Sequence, residues 1–154
     1  QSNIPEAEVE LSEVSELKLS GCTNCDACRE NGGSCITPDD SAKIIQKICE
    51  ADVLILGTPV YYWGMTSQLK MVIDKLYSKD DQLRKRKKKL GIVAIGEASL
   101  DDPEYKLIRD QFECISGYLG WDLIFSQSVC AFEAGDLAKD KDRLQDLNGL
   151  WKSI

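Results

Sequence analysis

Seven cysteines and no histidine define the chemistry open to this 154-residue sequence. Four of the seven, Cys22, Cys25, Cys28 and Cys35, fall in the stretch GCTNCDACRENGGSC with the spacing C-x2-C-x2-C-x6-C. Thiolates three residues apart can turn inward around one centre, and a fourth, delivered after the Gly32-Gly33 turn, can close the set. Four thiolates suit a [4Fe-4S] cluster, although in the bacterial ferredoxin run the fourth cysteine follows sooner and precedes proline. Zinc in a four-cysteine site is a second option, usually built from two separated C-x2-C knuckles. Disulfides or free thiols are the third. The lack of histidine removes the commonest general base and metal ligand, so histidine-dependent triads and zinc sites are excluded.

A second candidate is the aromatic segment Thr58, Pro59, Val60, Tyr61, Tyr62, Trp63, Gly64, Met65. Three consecutive aromatic residues in a loop cannot all enter the core, so some face an opening. A flat aromatic ligand could stack there; the alternative is that the rings clamp the loop or form a subunit interface. Arg84 to Lys89 (RKRKKK) invites a nucleic-acid or nuclear-signal reading. A solvated connection fits better in an acidic chain. Cys49, Cys114 and Cys130 lie on regular patterns and read as buried small apolar residues.

The elements that must position these groups follow from periodicity. Ala7 to Leu11 (AEVEL) alternates and reads as a short strand. Pro38-Asp39-Asp40-Ser41 is a helix start, and Ile44, Ile45, Ile48 and Cys49 give Ser41 to Glu50 one apolar face. Asp52 to Gly57 and Leu90 to Gly96 are continuous apolar runs, the pattern of strands buried on both faces. Between them, Thr66 can cap a helix whose Leu69, Val72, Ile73 and Leu76 share a face. Lys79 to Lys89 reads as a charged connection. Pro103 opens a long helix with the stripe Ile108, Phe112, Ile115, Leu119, stopped by Gly120. Asp122 to Ser126 is a further strand. A last helix carries Leu144, Leu147, Leu150, Trp151 and Ile154. Alternating strands and helices predict an α/β fold with a doubly wound parallel sheet, helices on both faces, in a single domain over 1–154. In such sheets ligands bind outside the carboxyl ends of the strands, where the aromatic loop lies.

Composition agrees with a soluble globular domain: 43% apolar and 29% charged. Nineteen Lys and Arg against 26 Asp and Glu give a net charge of −7, which argues against nucleic acid and anionic membrane surfaces as partners. The acidic opening Gln1 to Leu11 lacks the apolar core of a signal peptide, and the expected location is cytoplasmic, where thiols stay reduced.

Residues 51–77 (ADVLILGTPVYYWGMTSQLKMVIDKLY) resemble the flavodoxin-like family of NAD(P)H-dependent FMN reductases and iron–sulfur flavoproteins. The likeness extends to the cysteine loop ending in Asp39-Asp40, the Gly-bearing loop after LGIVAI, and Tyr118-Leu119-Gly120-Trp121. It implies a sheet ordered 2-1-3-4-5, with Thr58 to Gly64 holding the isoalloxazine of FMN and the turn Gly96, Glu97, Ala98, Ser99 near its pyrimidine edge. It implies an FMN oxidoreductase passing electrons from NAD(P)H to flavin, a quinone or another small-molecule or protein acceptor. Hydride chemistry would belong to the flavin, so no catalytic side chain is assigned. The cysteine spacing matches the compact arrangement of iron–sulfur flavoproteins, with Cys22, Cys25, Cys28 and Cys35 as metal ligands of an electron carrier. A homodimer or homotetramer is also implied. The rival from another class is a non-enzymatic flavin- or metal-binding module. Lys70 and Asp74 read as an ordinary helical ion pair, and Gly96 alone would read as a plain turn.

Two parts of that family's pattern are missing: the opening apolar strand and the Gly-Ser-rich loop that binds the FMN phosphate. Gln1 to Glu6 looks like the end of a first helix leading into the second strand. The expectation is therefore an N-terminally incomplete domain, with strand 1 outside the sequence and AEVEL unable to pair directly with VLILG.

Overall fold

The computed structural model describes residues 7–154; the reading of Gln1 to Glu6 lies outside them. Helix α1 (Ala27–Glu30) is a single turn inside the cysteine loop. Then follow α2 (Ser41–Glu50), β1 (Val53–Pro59), α3 (Ser67–Lys75), α4 (Asp80–Arg84), β2 (Lys89–Gly96), α5 (Pro103–Leu119), β3 (Asp122–Cys130), α6 (Asp136–Lys139) and α7 (Lys141–Gly149). The sheet is parallel in the order β1-β2-β3. Three parallel strands in chain order are compatible with strands 3, 4 and 5 of the expected sheet.

Local signals explain most elements. Asp39 and Asp40 precede α2, and the Asp39 carboxylate accepts from the Ser41 N–H at 2.9 Å. The α2 residues Ile44, Ile45, Ile48 and Cys49 are all buried, each apolar side chain contributing roughly 1.5–3 kcal/mol. Thr66 caps α3, its hydroxyl accepting from the Leu69 N–H at 3.3 Å. Asp102 caps α5 through the Glu104 N–H, Pro103 opens it and Gly120 ends it. Leu90, Ile92 and Ala94 of β2 share one core with Val72 of α3 and Ile108 and Phe112 of α5. The 3-10 turn Leu150–Ser153 after α7 reaches β3.

Three expectations are corrected. Ala7 to Leu11 forms no strand: it joins no ladder among the described residues and is exposed, tied to the body by the Glu10 carboxylate on Lys47. A strand takes its stability from a ladder partner, and alternation alone supplies none. Lys79 to Lys89 is not simply a connection, since Asp80–Arg84 is helical and Leu83 is fully buried. The expected solvated run is partly structural. Lys88 is buried, donating to the Cys49 carbonyl at 2.8 Å and to Ala51, and Arg86 donates to the Cys49 carbonyl at 3.2 Å and pairs with Asp52. These cations satisfy the orphan carbonyls at the end of α2. Of the three outlying cysteines, only Cys49 is buried; Cys114 is exposed and Cys130 intermediate.

Candidate functional site

The aromatic loop leaves the carboxyl end of β1. Val60 N–H still donates to the Ile95 carbonyl at 2.8 Å, tying the loop's base to β2. Beyond it, Tyr61 and Gly64 exchange two backbone hydrogen bonds, at 3.0 and 3.1 Å, around a two-residue turn. Tyr62 (φ 49°) and Trp63 (φ 60°) both occupy the left-handed region. A turn of this kind normally takes Asn or Gly, and bulky residues there cost on the order of 1 kcal/mol each. Thr58, buried, braces the frame by accepting from the Thr66 N–H at 3.1 Å. The strain displays the rings: Tyr61, Tyr62 and Trp63 are all more than half exposed, Tyr62 at 96%. This is the geometry expected of a stacking platform, and it agrees with the expectation that some of the rings face outward.

Beside it, the turn after β2 begins at Gly96, whose N–H and carbonyl side face β3: the Ala131 N–H donates to the Gly96 carbonyl at 2.8 Å. A Cβ on Gly96 would lie 2.1 Å from Glu104 Oε1 and 2.9 Å from the Tyr105 hydroxyl. A side chain at this position would force Glu104 or the Tyr105 ring to shift. Glu104 Oε1 is buried and has no hydrogen-bond partner. The Tyr105 hydroxyl lies 3.0 Å from the Ala98 carbonyl and 3.3 Å from that of Val129, bonding the turn to the helix. Burial and the adjacent Glu104 charge push the Tyr105 phenol up to about 12, so it stays a donor. Cys130 Sγ lies 3.5 Å from the Glu97 carbonyl. Sequence reasoning missed Glu104 and Tyr105, because the groups they touch, at the end of β2, in the turn after it and on β3, are brought to α5 only by the fold. It also missed Phe132, 76% exposed just beyond β3.

The four cysteines of the loop line one cavity of about 20 Å³, with Thr37, Lys75 and Tyr77 also in its wall. That volume suits one water. Among the described residues, no three cysteine or acidic side chains stand close enough together to hold a metal ion. The donor set suits a thiolate-ligated centre in residue type, but the thiols are not gathered around one point. Side chains pin this loop. Asp39 Oδ2 accepts from Ser20 N–H (3.0 Å), the Ser20 hydroxyl (2.7 Å) and Lys75 Nζ (2.6 Å). The Lys75 and Asp39 side chains are only 1% and 7% exposed. Burial alone would raise the Asp39 carboxyl, but the hydrogen bonds from Lys75, Ser41 and Ser20 outweigh it and hold it well below the usual range. Burial likewise pushes the Cys35 thiol up, and hydrogen bonds with Thr37 together with the Lys75 charge overcome that and leave it below its ordinary value. On the outside, the Tyr77 hydroxyl donates to Asp26 at 2.8 Å and accepts from Arg29 at 2.6 Å, with the guanidinium 4.5 Å over the ring.

Lys70 and Asp74 form the exposed i,i+4 pair expected, at 2.6 Å.

Residues 1–110 match the model of the NADPH-dependent FMN reductase family. The chain belongs to that family. An iron-sulfur flavoprotein of Methanocaldococcus jannaschii is 38% identical over 89 residues, covering 58% of this chain and 46% of the relative. The chain thus spans less than half of that relative. A Bacillus subtilis protein named as an NAD(P)H-dependent FMN-containing oxidoreductase is 29% identical over 131 residues, covering 79% of this chain and 70% of its own length. The solved structure of the Trp repressor binding protein from Bacillus subtilis superposes with a TM-score of 0.63 at 25% identity, covering 72% of this chain and 75% of that one. The flavodoxin-like architecture expected from sequence is thereby established. No helix among the described residues is long and apolar enough to cross a membrane.

Proposed function

We propose that this chain acts as an FMN-dependent oxidoreductase that takes electrons from NAD(P)H and delivers them to flavin, a quinone or another acceptor. The observation that carries the reading is the strained turn at Tyr62-Trp63, which presents bare rings at the carboxyl end of β1. FMN, when bound, supplies the hydride and electron chemistry. The chain's own residues would bind and orient it. Thr58, Pro59, Val60, Tyr61, Tyr62, Trp63 and Gly64 offer stacking and backbone groups, while Gly96, Glu97 and Ala98 form a second wall held from beneath by Tyr105. Family membership supports this assignment. Location in the cytoplasm and a homodimer or homotetramer belong to the same proposal. The deciding experiment is titration of the full chain with FMN, followed by flavin fluorescence. Binding that weakens about tenfold or more in Tyr62→Ser/Trp63→Ser, in a chain still folded by circular dichroism, is expected from loss of aromatic stacking. Equal affinity in wild type and variant would overturn the platform.

One observation favours a second reading, an iron–sulfur electron carrier: Cys22, Cys25, Cys28 and Cys35 face one cavity, and a relative is named as an iron-sulfur flavoprotein. A [4Fe-4S] cluster would take those four thiolates, and the loop would have to rearrange to draw them around it. Anaerobic incubation with iron and sulfide should give the full chain a brown absorbance that Cys22→Ser/Cys35→Ser fails to acquire. A colourless wild-type product would remove this reading and leave the first intact.

A further inference from the structure

Three consecutive carbonyls of the turn after β2 are held from one side. The Gly96 carbonyl accepts from the Ala131 N–H at 2.8 Å. That of Glu97 accepts from Cys130 Sγ at 3.5 Å, and that of Ala98 from the Tyr105 hydroxyl at 3.0 Å. The donors sit at or just beyond the end of β3, or in the first turn of α5.

A peptide unit is flat and trans, so its N–H points opposite to its carbonyl. Pinning these carbonyls therefore turns the N–H groups of Glu97, Ala98 and Ser99 away from the residues that hold them. Strand β2 lies between β1 and β3. The Glu97 N–H, opposite a carbonyl bonded toward β3, thus points to the β1 side, where the aromatic loop stands. Among the described residues none of the three N–H groups finds an acceptor. Glu97 and Ser99 are exposed, so a ligand can reach them. Successive unpaired N–H groups in a turn suit an electron-rich edge, such as ring carbonyls.

The three pins are unequal. The bond from Ala131 continues the sheet ladder, and a thiol is a weak donor. The Tyr105 hydroxyl is the strong side-chain pin, on a residue only 4% exposed. It stands nearer the Ala98 carbonyl than that of Val129, 3.0 against 3.3 Å.

We propose that Tyr105 is a positioning residue for the flavin ring: by holding the Ala98 carbonyl it fixes the turn so that the N–H groups of Glu97, Ala98 and Ser99 bond the ring's electron-rich edge together, and more tightly when the ring is reduced. This rests on the oxidoreductase reading. Reduction adds negative charge at that edge, and hydrogen bonds to a charged acceptor are about twice as strong as neutral ones.

The test compares the full chain with Tyr105→Phe, which loses only the hydroxyl. Oxidised FMN is titrated by fluorescence, and dithionite-reduced FMN by anaerobic calorimetry at mildly alkaline pH. Oxidised FMN should bind about threefold more weakly in the variant and reduced FMN about tenfold more weakly. A wall that merely loosened would weaken both forms alike. Cys130→Ala, which removes the weaker pin, should act in the same direction by less, and it carries the comparison if Tyr105→Phe does not fold. A second measurement needs no flavin. In amide NMR relaxation the Ser99 order parameter should fall from about 0.85 to below about 0.6 in Tyr105→Phe. Equal losses for the two forms, or a Ser99 amide as rigid in the variant as in wild type, would overturn the positioning role. A wild type that binds neither form, with Ser99 loosened in the variant, would sink the oxidoreductase reading and leave Tyr105 as the brace of the turn.

Discussion

The cysteine loop and the aromatic loop each contain two non-glycine residues in left-handed backbone, and the pairs differ in type. In the cysteine loop they are Asn24 (φ 54°) and Asp26 (φ 58°); in the aromatic loop they are Tyr62 and Trp63. Asn and Asp visit this region routinely, whereas bulky rings do not. The first loop therefore follows local preference, and side chains fasten it to the body through Asp39, Lys75 and Tyr77. The second opposes local preference and is held by backbone bonds and the Thr58–Thr66 brace. One loop fails if a single polar partner is removed. The other should relax, and lose its display, if a ring is removed.

The largest expected effect lies in the cysteine loop. Asp39→Ala leaves the Lys75 ammonium buried and unpaired and strips Ser20 and Ser41 of their acceptor. A loss of about 3–5 kcal/mol is expected in urea unfolding. The pH dependence has a definite sign. The folded Asp39 carboxyl is held low, so it adds stability above the unfolded carboxylate value of about 4, and that stability fades as pH falls toward the folded value. Wild type should weaken progressively below about pH 4, and Asp39→Ala should lack that component. A cost under about 1 kcal/mol would show the pair to be dispensable. By contrast, Lys70 and Asp74 on the same helix are 46% and 42% exposed, and an exposed pair of that spacing is worth only a few tenths of a kcal/mol.

Next comes the wall beside the aromatic loop. Gly96→Ala pushes a methyl group onto Glu104 Oε1 and the Tyr105 hydroxyl, and should cost about 1–3 kcal/mol. Glu104→Ala clears the nearest obstacle, so the double variant should recover about 1 kcal/mol or more relative to additivity. Strict additivity in the thermodynamic cycle would mean that Gly96 is required for some other reason.

The reach of sequence reasoning follows the range of the interactions. Helix α2 and the caps of α3 and α5 were legible because their signals lie within four residues of one another. The exposure of the aromatic loop was legible because three rings in one loop have nowhere to hide. The buried Asp39–Lys75 pair spans 36 residues, and the contact of Glu104 with Gly96 joins a helix to a strand end, so neither leaves a local trace. The charged run before β2 misled for a related reason: its one apolar residue, Leu83, and its buried cation, Lys88, are hidden among solvated neighbours. The segment AEVEL misled because alternation is necessary for a half-buried strand and does not create the partner.

The smallest effect sharpens the contrast most. Tyr62 is almost fully exposed, so its removal forfeits almost no burial, and its backbone conformation is one that asparagine accepts. Tyr62→Asn should therefore stabilise the chain by about 0.5–1 kcal/mol, read as a rise in urea midpoint at unchanged slope. The same substitution should weaken FMN binding, because one stacking ring is gone. Gain of stability with loss of affinity is the signature of strain retained for a site. If Tyr62→Asn instead destabilises the free chain, the ring has a packing partner, and the turn is a clamp rather than a platform.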